Sequence, residues 1–283
     1  MAQDVLIYYT KVFPKLKRFL KNREIATITK LKDMEIVKRG SNHEPLFVDE
    51  LINNADKRFF DLRKGNAHLK DVEKKLSKKQ VKIWQYFVPR KLIELHYAVN
   101  HEHPNKPLDR IFFDIDRMDI PAEKAQLVAL KLIEVIKKDR DFTLSYKIFP
   151  MWTGNSFHVY LLLNKKVPHS YYEKNFHVEM DEPKKSFTGR WALKVDKELK
   201  NVKVIAGHQK RKGYVNIDPS QSPSGKIARS PFSLYVKSYS AVKGVAIPLT
   251  ADELSEPNLV SGLRGYTIEK VIKNLNILAK KLP

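Results

Sequence analysis

Between Arg110 and Leu163 the chain passes through a strand pattern, a helix pattern and two more strand patterns, and few folds accept that order. Arg110 to Asp116 (RIFFDID) is a short apolar run carrying acids. Pro121 to Lys138 has Pro near the first helical position and places Leu127, Leu130, Ile133 and Ile136 on one stripe, as an amphipathic helix requires. Leu144 to Pro150 and Phe157 to Leu163 (FHVYLLL) then read as strands. Strand, helix, strand, strand predicts an α/β or α+β unit built around a sheet.

The flanking segments extend this pattern. Val5 to Lys21 carries apolar residues at helical spacing, one or two short helices around Pro14, and Arg23 to Lys30 alternates as a strand. Asp181 to Gly213 is polar and basic, an insertion or partly helical element. Tyr214 to Asp218, Ile227 to Lys237 and Val245 to Leu249 read as closing strands, and no internal repeat is present.

The 283 residues carry 53 Lys plus Arg against 32 Asp plus Glu, a formal charge of +21. With 42 % hydrophobic residues and many aromatics, a disordered polycation is excluded; the chain can build one large domain or two smaller ones. The charge predicts a polyanionic partner, most simply nucleic acid, because each neutralised phosphate releases counterions. No run approaches the roughly 20 apolar residues of a membrane helix. The start, Met1-Ala2-Gln3-Asp4, lacks a basic and then apolar leader, so the expectation is a soluble intracellular protein without a membrane partner. Cysteine is absent, which removes disulfides, thiol catalysis and thiolate zinc sites. Any metal must be held by carboxylates or histidines.

Asp114 and Asp116 stand two apart on a predicted strand, so both side chains leave one face. Such a pair beside Phe112, Phe113 and Ile115 calls for a compensating cation, and hard oxygen donors suit Mg²⁺ or Mn²⁺ carrying a nucleoside triphosphate. The blander alternative is a solvated strand end. Asp218 ends YVNID before the turn-rich Pro219-Ser-Gln-Ser-Pro-Ser-Gly225. If its strand neighbours the first, three carboxylates converge in the geometry of two-metal phosphoryl transfer. Trp152-Thr153-Gly154-Asn155-Ser156-Phe157-His158 is a small-residue turn that can aim N–H groups and a hydroxyl at a phosphate, or a plain hairpin turn with a half-buried histidine. Arg229 to Lys237 (RSPFSLYVK) offers two cations and the Ser233 hydroxyl around a proline-set bend, to cap a strand edge or grip a triphosphate. Asp71 to Lys91 places Lys74, Lys75, Lys78, Lys79, Lys82 and Arg90 around Trp84, Tyr86 and Phe87, either a solvated helix face with a core anchor or a nucleic-acid surface.

In this order and combination the motifs resemble the archaeo-eukaryotic primase superfamily: catalytic small subunits, primase-polymerases and the polymerase domain of bacterial ligase D. Leu95-His-Tyr-Ala-Val-Asn-His-Glu-His-Pro104 is similar to the segment before the Asp-x-Asp strand there, and Arg23-Glu24-Ile25-Ala26 to an early Arg-Glu element. Tyr214 to Leu254 is similar to ligase D in the spacing between Asp218 and Pro231.

The resemblance implies an N-terminal α/β unit packed on an RRM-like sheet, with the active site in the cleft between them. A single catalytic domain over 1–283 would comprise an N-terminal part (1–95), a catalytic core (96–254) and a C-terminal helical tail (255–283). It implies catalysis and metal binding, two Mg²⁺ or Mn²⁺ ions, by Asp114, Asp116 and Asp218. Nucleotide contacts fall to Thr153, Gly154, Asn155, Ser156, His158, Arg229, Ser233 and Lys237, with Arg23 a further candidate for the triphosphate. Template contacts fall to Lys78, Lys79, Lys82, Lys210 and Arg211. A cysteine zinc knuckle is excluded by composition. Tyr235 stands where primases usually place His and ligase D relatives Arg. The implied function is primer synthesis on single-stranded DNA from nucleoside triphosphates, in a prokaryotic, archaea included, cytoplasm, with a large subunit or another replication protein as partner. The rivals are a ligase D-type repair polymerase, a non-catalytic single-strand binder and a metal-dependent nuclease.

Overall fold

Apolar periodicity and short caps mark most of the helices. The computed structural model of the chain describes residues 4–66, 68–179, 181–238 and 241–283. Helix α1 (Val5–Leu16) starts where the Asp4 carboxylate accepts the Leu6 N–H, and it buries Leu6, Tyr9, Val12, Phe13 and Leu16. Strands β1 (Ile25–Lys30) and β2 (Glu35–Lys38) follow, then helices α2 (Val48–Asn54) and α3 (Lys57–Gly65). Helix α4 (Lys78–Tyr86) is opened by a capping box in which Ser77 and Gln80 bond each other's backbone N–H. After β3 (Ile93–Ala98) and β4 (Leu108–Asp116) comes α5 (Ala122–Lys138), then β5 (Tyr146–Trp152), β6 (Phe157–Val167), α6 (His169–Asn175) and α7 (Phe187–Glu198). The last third carries β7 (Lys203–Ala206), β8 (Tyr214–Asp218), β9 (Ile227–Arg229), β10 (Leu234–Ser238), β11 (Ala241–Val245), β12 (Ile247–Pro248), α8 (Leu259–Arg264) and α9 (Ile268–Ala279).

These strands make a four-stranded sheet (β2-β1-β3-β9), a six-stranded sheet (β12-β5-β6-β4-β8-β7) and the hairpin β10-β11. The alternation of β4 decides what faces what. Phe113 points to the helical side, its ring 5.9 Å from Trp191 of α7, while Phe112 stacks on Tyr160 at 5.0 Å on the other face. That second face meets the four-stranded sheet through Tyr97, Phe19, Phe149 and Tyr160, with ring centroids 5.4 to 5.6 Å apart in successive pairs. Helix α1 is tied to the outer side: Tyr9 Oη donates to the Ile93 carbonyl at 2.7 Å, and Tyr8 Oη to that of Phe232. The result is a mixed α/β fold with two facing sheets and one continuous apolar core.

Several expectations shift. Ile227 to Lys237 is two strands, because Pro231 lacks an N–H and Phe232 takes φ 62°, which turns the chain from the four-stranded sheet into the β10-β11 hairpin. The buried face of α5 is Ala125, Val128, Ala129, Leu132, Ile133 and Ile136; Leu127 is 43 % exposed, so the predicted stripe was rotated. Of the two alternatives for residues 181–213, the partly helical element holds: the segment carries α7 together with β7. The proposed division at 95/96 falls inside β3, and α8 and α9 pack on α5 and α1.

Gly189, in the first turn of α7, approaches the Pro183 backbone so closely that an added Cβ would lie 1.8 Å from its carbonyl oxygen. Gly189→Ala should therefore cost at least about 2 kcal/mol in urea unfolding. Gly262→Ala, where nothing lies within 4 Å, should be neutral or stabilising by about 0.5 kcal/mol.

Candidate active site

The register of three neighbouring strands builds the acidic face. Asp114 on β4 pairs with Asp218 on β8 and, on its other side, with His158 on β6, while Asp116 lies opposite Asn216. The side chain of Asp114 is 37 % exposed to the open cleft but otherwise enclosed by protein. Removal from bulk water, then the charges of Asp116 and Asp218, raise its pKa to about 7. His158 goes the other way, to about 3, because burial and then Arg229 disfavour its charged form. It is a neutral imidazole at neutral pH, with Nε2 3.6 Å from Asp114 Oδ1 and Nδ1 3.3 Å from Tyr160 Oη.

A base meets each of the other two acids. Lys210 Nζ lies 2.5 Å from Asp116 Oδ2, and that carboxylate holds the lysine above its ordinary pKa. His208 Nδ1 lies 3.1 Å from Asp218 Oδ2, whose Oδ1 accepts the Ser220 N–H at 2.8 Å. Turned to separate bases, these groups do not form a ligand set: among the described residues no three His, Asp or Glu side chains converge on one ligating point. The donor chemistry nonetheless suits a hard divalent cation. Three carboxylates share one sheet face, two of them raise the proton affinity of the third, and an ammonium already sits against Asp116. Asp114, Asp116 and Asp218 would hold such an ion once Lys210 and His208 released them.

The turn before β6 lies beside this face. Thr153 Oγ1 accepts the Ser156 N–H at 3.0 Å, Thr153 N–H donates to the Ser156 carbonyl, and Ser156 Oγ donates to the Ile115 carbonyl. Both hydroxyls are buried and shape the turn instead of reaching outward. Gly154 has φ +94°, and a Cβ there would lie 2.6 Å from Tyr235 Cβ, so only glycine lets the hairpin press down on the turn. The Asn155 side chain accepts from Arg117 Nη2 at 2.7 Å, and the Asn155 carbonyl from Arg117 Nε. Arg117 thereby clamps the turn, a role the sequence did not signal.

Arg229 is held rigidly. Its Nη2 donates to Glu94 Oε2 at 2.9 Å, its Nη1 to the Leu234 carbonyl at 2.7 Å, and its guanidinium lies 5.3 Å from the Tyr235 ring. Glu94 is buried and also accepts the Val236 N–H, joining β3, β9 and β10 at one carboxylate. His96, across from Arg229 in the β3–β9 ladder, is buried and kept neutral by desolvation and by that arginine. Neither Glu94 nor His208 was singled out from the sequence. The "HQKRK" run before β8 was the available signal for His208, whereas Glu94 is one polar letter in a strand buried along its whole length.

The remaining assignments divide. Ser233 is fully buried, accepting the Leu95 N–H at 2.9 Å, and so acts on the bend rather than in the cleft. Lys237 is exposed on β10. Arg23 lies on Asp109 and the Asn100 carbonyl at the far end of the cleft face, away from the acids. Lys78 and Lys79 are exposed on α4, and Arg211 is exposed with its guanidinium 4.4 Å from the Tyr214 ring. Lys82 contradicts its assignment. It is buried, its ammonium 2.7 Å from Glu50 and 3.0 Å from Glu44, because the inward face of α4 also carries Ile83, Trp84 and Tyr86. Lys210 faces Asp116 and so belongs to the acidic site.

Aspartates on one sheet face, cationic residues near them and a tight turn at their side define a protein that handles phosphoryl groups. The chain belongs to the ligase D primase-polymerase domain family, whose pattern it matches over residues 2–281. Its fold is similar to that of the polymerase domain of Mycobacterium tuberculosis ligase D, solved in complex with DNA. The TM-score is 0.58 at 16 % identity, covering 99 % of this chain and 92 % of that one. No curated protein matches the chain.

Folded Asp114 keeps its proton to about 7, whereas an unfolded chain releases it near 3.8. Between those values the folded state binds more protons, so this group makes the metal-free protein lose stability as pH rises. Tm measured against pH in chelator should fall less steeply from pH 4 to 7 in Asp114→Asn than in the parent; equal slopes would contradict the shift. Lys82→Met should lower stability by about 1–3 kcal/mol while leaving affinity for single-stranded DNA unchanged, as read by fluorescence anisotropy.

Proposed function

We propose that the chain catalyses DNA-templated nucleotidyl transfer. A 3′-hydroxyl attacks the α-phosphate of a bound nucleoside triphosphate; a new O–P bond forms as the bond to pyrophosphate breaks. One observation carries this reading: the β4–β8 register that sets Asp114 opposite Asp218, with Asp116 next on the same face. Membership of the ligase D primase-polymerase family supports it, as does the likeness to a domain solved with DNA. Divalent ions of the Mg²⁺ or Mn²⁺ type, held by the three aspartates, supply when bound the charge that acidifies the hydroxyl and neutralises the triphosphate.

The chain's own residues do the positioning. The Thr153–Ser156 turn, fixed by Arg117 and by the glycine contact under Tyr235, leaves the Gly154 and Asn155 N–H groups for phosphate oxygens. Arg229, already oriented by Glu94, adds a guanidinium, and Lys237 adds an ammonium. Neutral His158 stabilises the ionised state of Asp114 little, which leaves that carboxylate to a stronger cation. Lys78, Lys79 and Arg211 lie outside the acidic site and serve the template backbone.

Extension of an existing strand, as in gap filling or end joining, fits the ligase D primase-polymerase match along nearly the whole chain as well as primer synthesis does. Asp114→Ala and Asp116→Ala should each reduce incorporation of labelled nucleotide by at least about a hundredfold with single-strand binding retained. Synthesis surviving both changes overturns the assignment. In the parent protein, incorporation confined to primed templates establishes extension, incorporation on bare single strands establishes priming, and strand cleavage without pyrophosphate release establishes a nuclease.

A further inference from the structure

The cleft face of the six-stranded sheet carries three successive cross-strand rows. Asp114, His158 and Met151 form one, Phe112, Tyr160 and Phe149 the next, and Arg110, Leu162 and Lys147 the third. Four residues along β4 place Arg110 roughly 13 Å from Asp114, with the aromatic row standing between them. Arg18 and Arg23, from the segment linking α1 to β1, join Arg110 and Lys147 around a cavity of about 270 Å³.

This cavity has too few anions for its cations. Against four basic side chains stand only Asp109 and the terminal carboxylate of Pro283, which also lines the cavity. Asp109 is already engaged: both oxygens accept from Arg23 Nη2, and Arg110 Nε approaches only to 3.8 Å. Arg18 and Lys147 make no ion pair among the described residues. Arg23 Nε and Arg110 Nη1 are buried and find no hydrogen-bond acceptor among those residues. Burial and then the neighbouring Arg110 pull the Arg23 pKa below the usual arginine value despite Asp109. Arg110 is meanwhile locked in place, 4.4 Å over the Phe19 ring with Nη2 donating to the Phe19 carbonyl at 2.6 Å. Fixed guanidiniums in surplus over carboxylate match an anion with several acceptor oxygens and more than one negative charge.

We propose that the cavity bounded by Arg18, Arg23, Arg110 and Lys147 is a phosphate-binding site distinct from the one at the aspartates, taking a phosphoryl group borne by a nucleic-acid strand or free in solution. It does not depend on the polymerase reading, because it can be measured without catalysis.

The test uses the full chain in chelator, with Arg18→Gln/Lys147→Gln as the double variant. Both side chains are exposed, so the Arg23–Asp109 pair and the Arg110 stack survive and the phosphate-free Tm should match the parent. Millimolar inorganic phosphate, against chloride at equal ionic strength, should raise the Tm of the parent and of Asp114→Asn/Asp116→Asn, but not of the double variant. Affinity for an oligodeoxynucleotide is then followed against log salt. A slope reduced by about one per cation removed identifies a strand phosphate as the ligand; an unchanged slope with the thermal shift lost identifies free phosphate. The proposal is overturned if the double variant keeps both the phosphate shift and the salt slope, or if the parent responds to neither phosphate nor the substitutions.

Discussion

Two like charges brought face to face by strand pairing are the constraint around which this molecule is arranged. Hydrogen bonding between β4 and β8 fixes Asp114 opposite Asp218, and alternation along β4 adds Asp116 to the same face. Such a face is unfavourable on its own, as the raised proton affinity of Asp114 shows. The surroundings answer at each acid in turn: the Lys210 ammonium on Asp116, the His208 imidazole beside Asp218, and the Arg229 guanidinium near enough to lower the Asp114 pKa. The Lys210 ammonium against Asp116 is the shortest of these contacts.

The other wall depends on a buried acid. Glu94 receives Arg229 and the Val236 N–H together, so one carboxylate fixes the cation and fastens the hairpin that covers the Thr153–Ser156 turn. A buried carboxylate with these partners is costly to disturb, since removing either leaves a charge in the interior without compensation. The glycine contact between Gly154 and Tyr235 then sets how closely hairpin and turn approach. Position and electrostatics at the site thus come from few anchors lying behind the residues that meet a substrate.

Much of this was legible in the chain. The strand-helix-strand-strand order around Asp114 stands as read, because period-two and period-3.6 patterns are local and the acids mark one face of β4. The α5 stripe was misplaced because Leu127 is apolar yet exposed, and apolar letters alone do not say which side a neighbour covers. Strand β3 escaped notice for the opposite reason: all six of its residues are buried, so no alternation marks it. Lys82 reads as one more lysine in a basic run, and only Glu44 and Glu50, more than thirty residues earlier, make it an interior ion pair.

The sequence by itself determined the chemistry available: hard oxygen donors, no thiols, a large surplus of positive charge and the motif order of its family. It also determined that Asp114 and Asp116 leave the same face, because strand geometry is local. The tertiary structure decided which strand lies beside β4, and so whether Asp218 joins them. It also decided which cations are spent inside the protein, as Lys82 is, and which remain for phosphate. The physical reason is that pairing register and burial are long-range properties. A carboxylate or an ammonium acquires its role from the charges that folding places beside it, not from its neighbours in the chain.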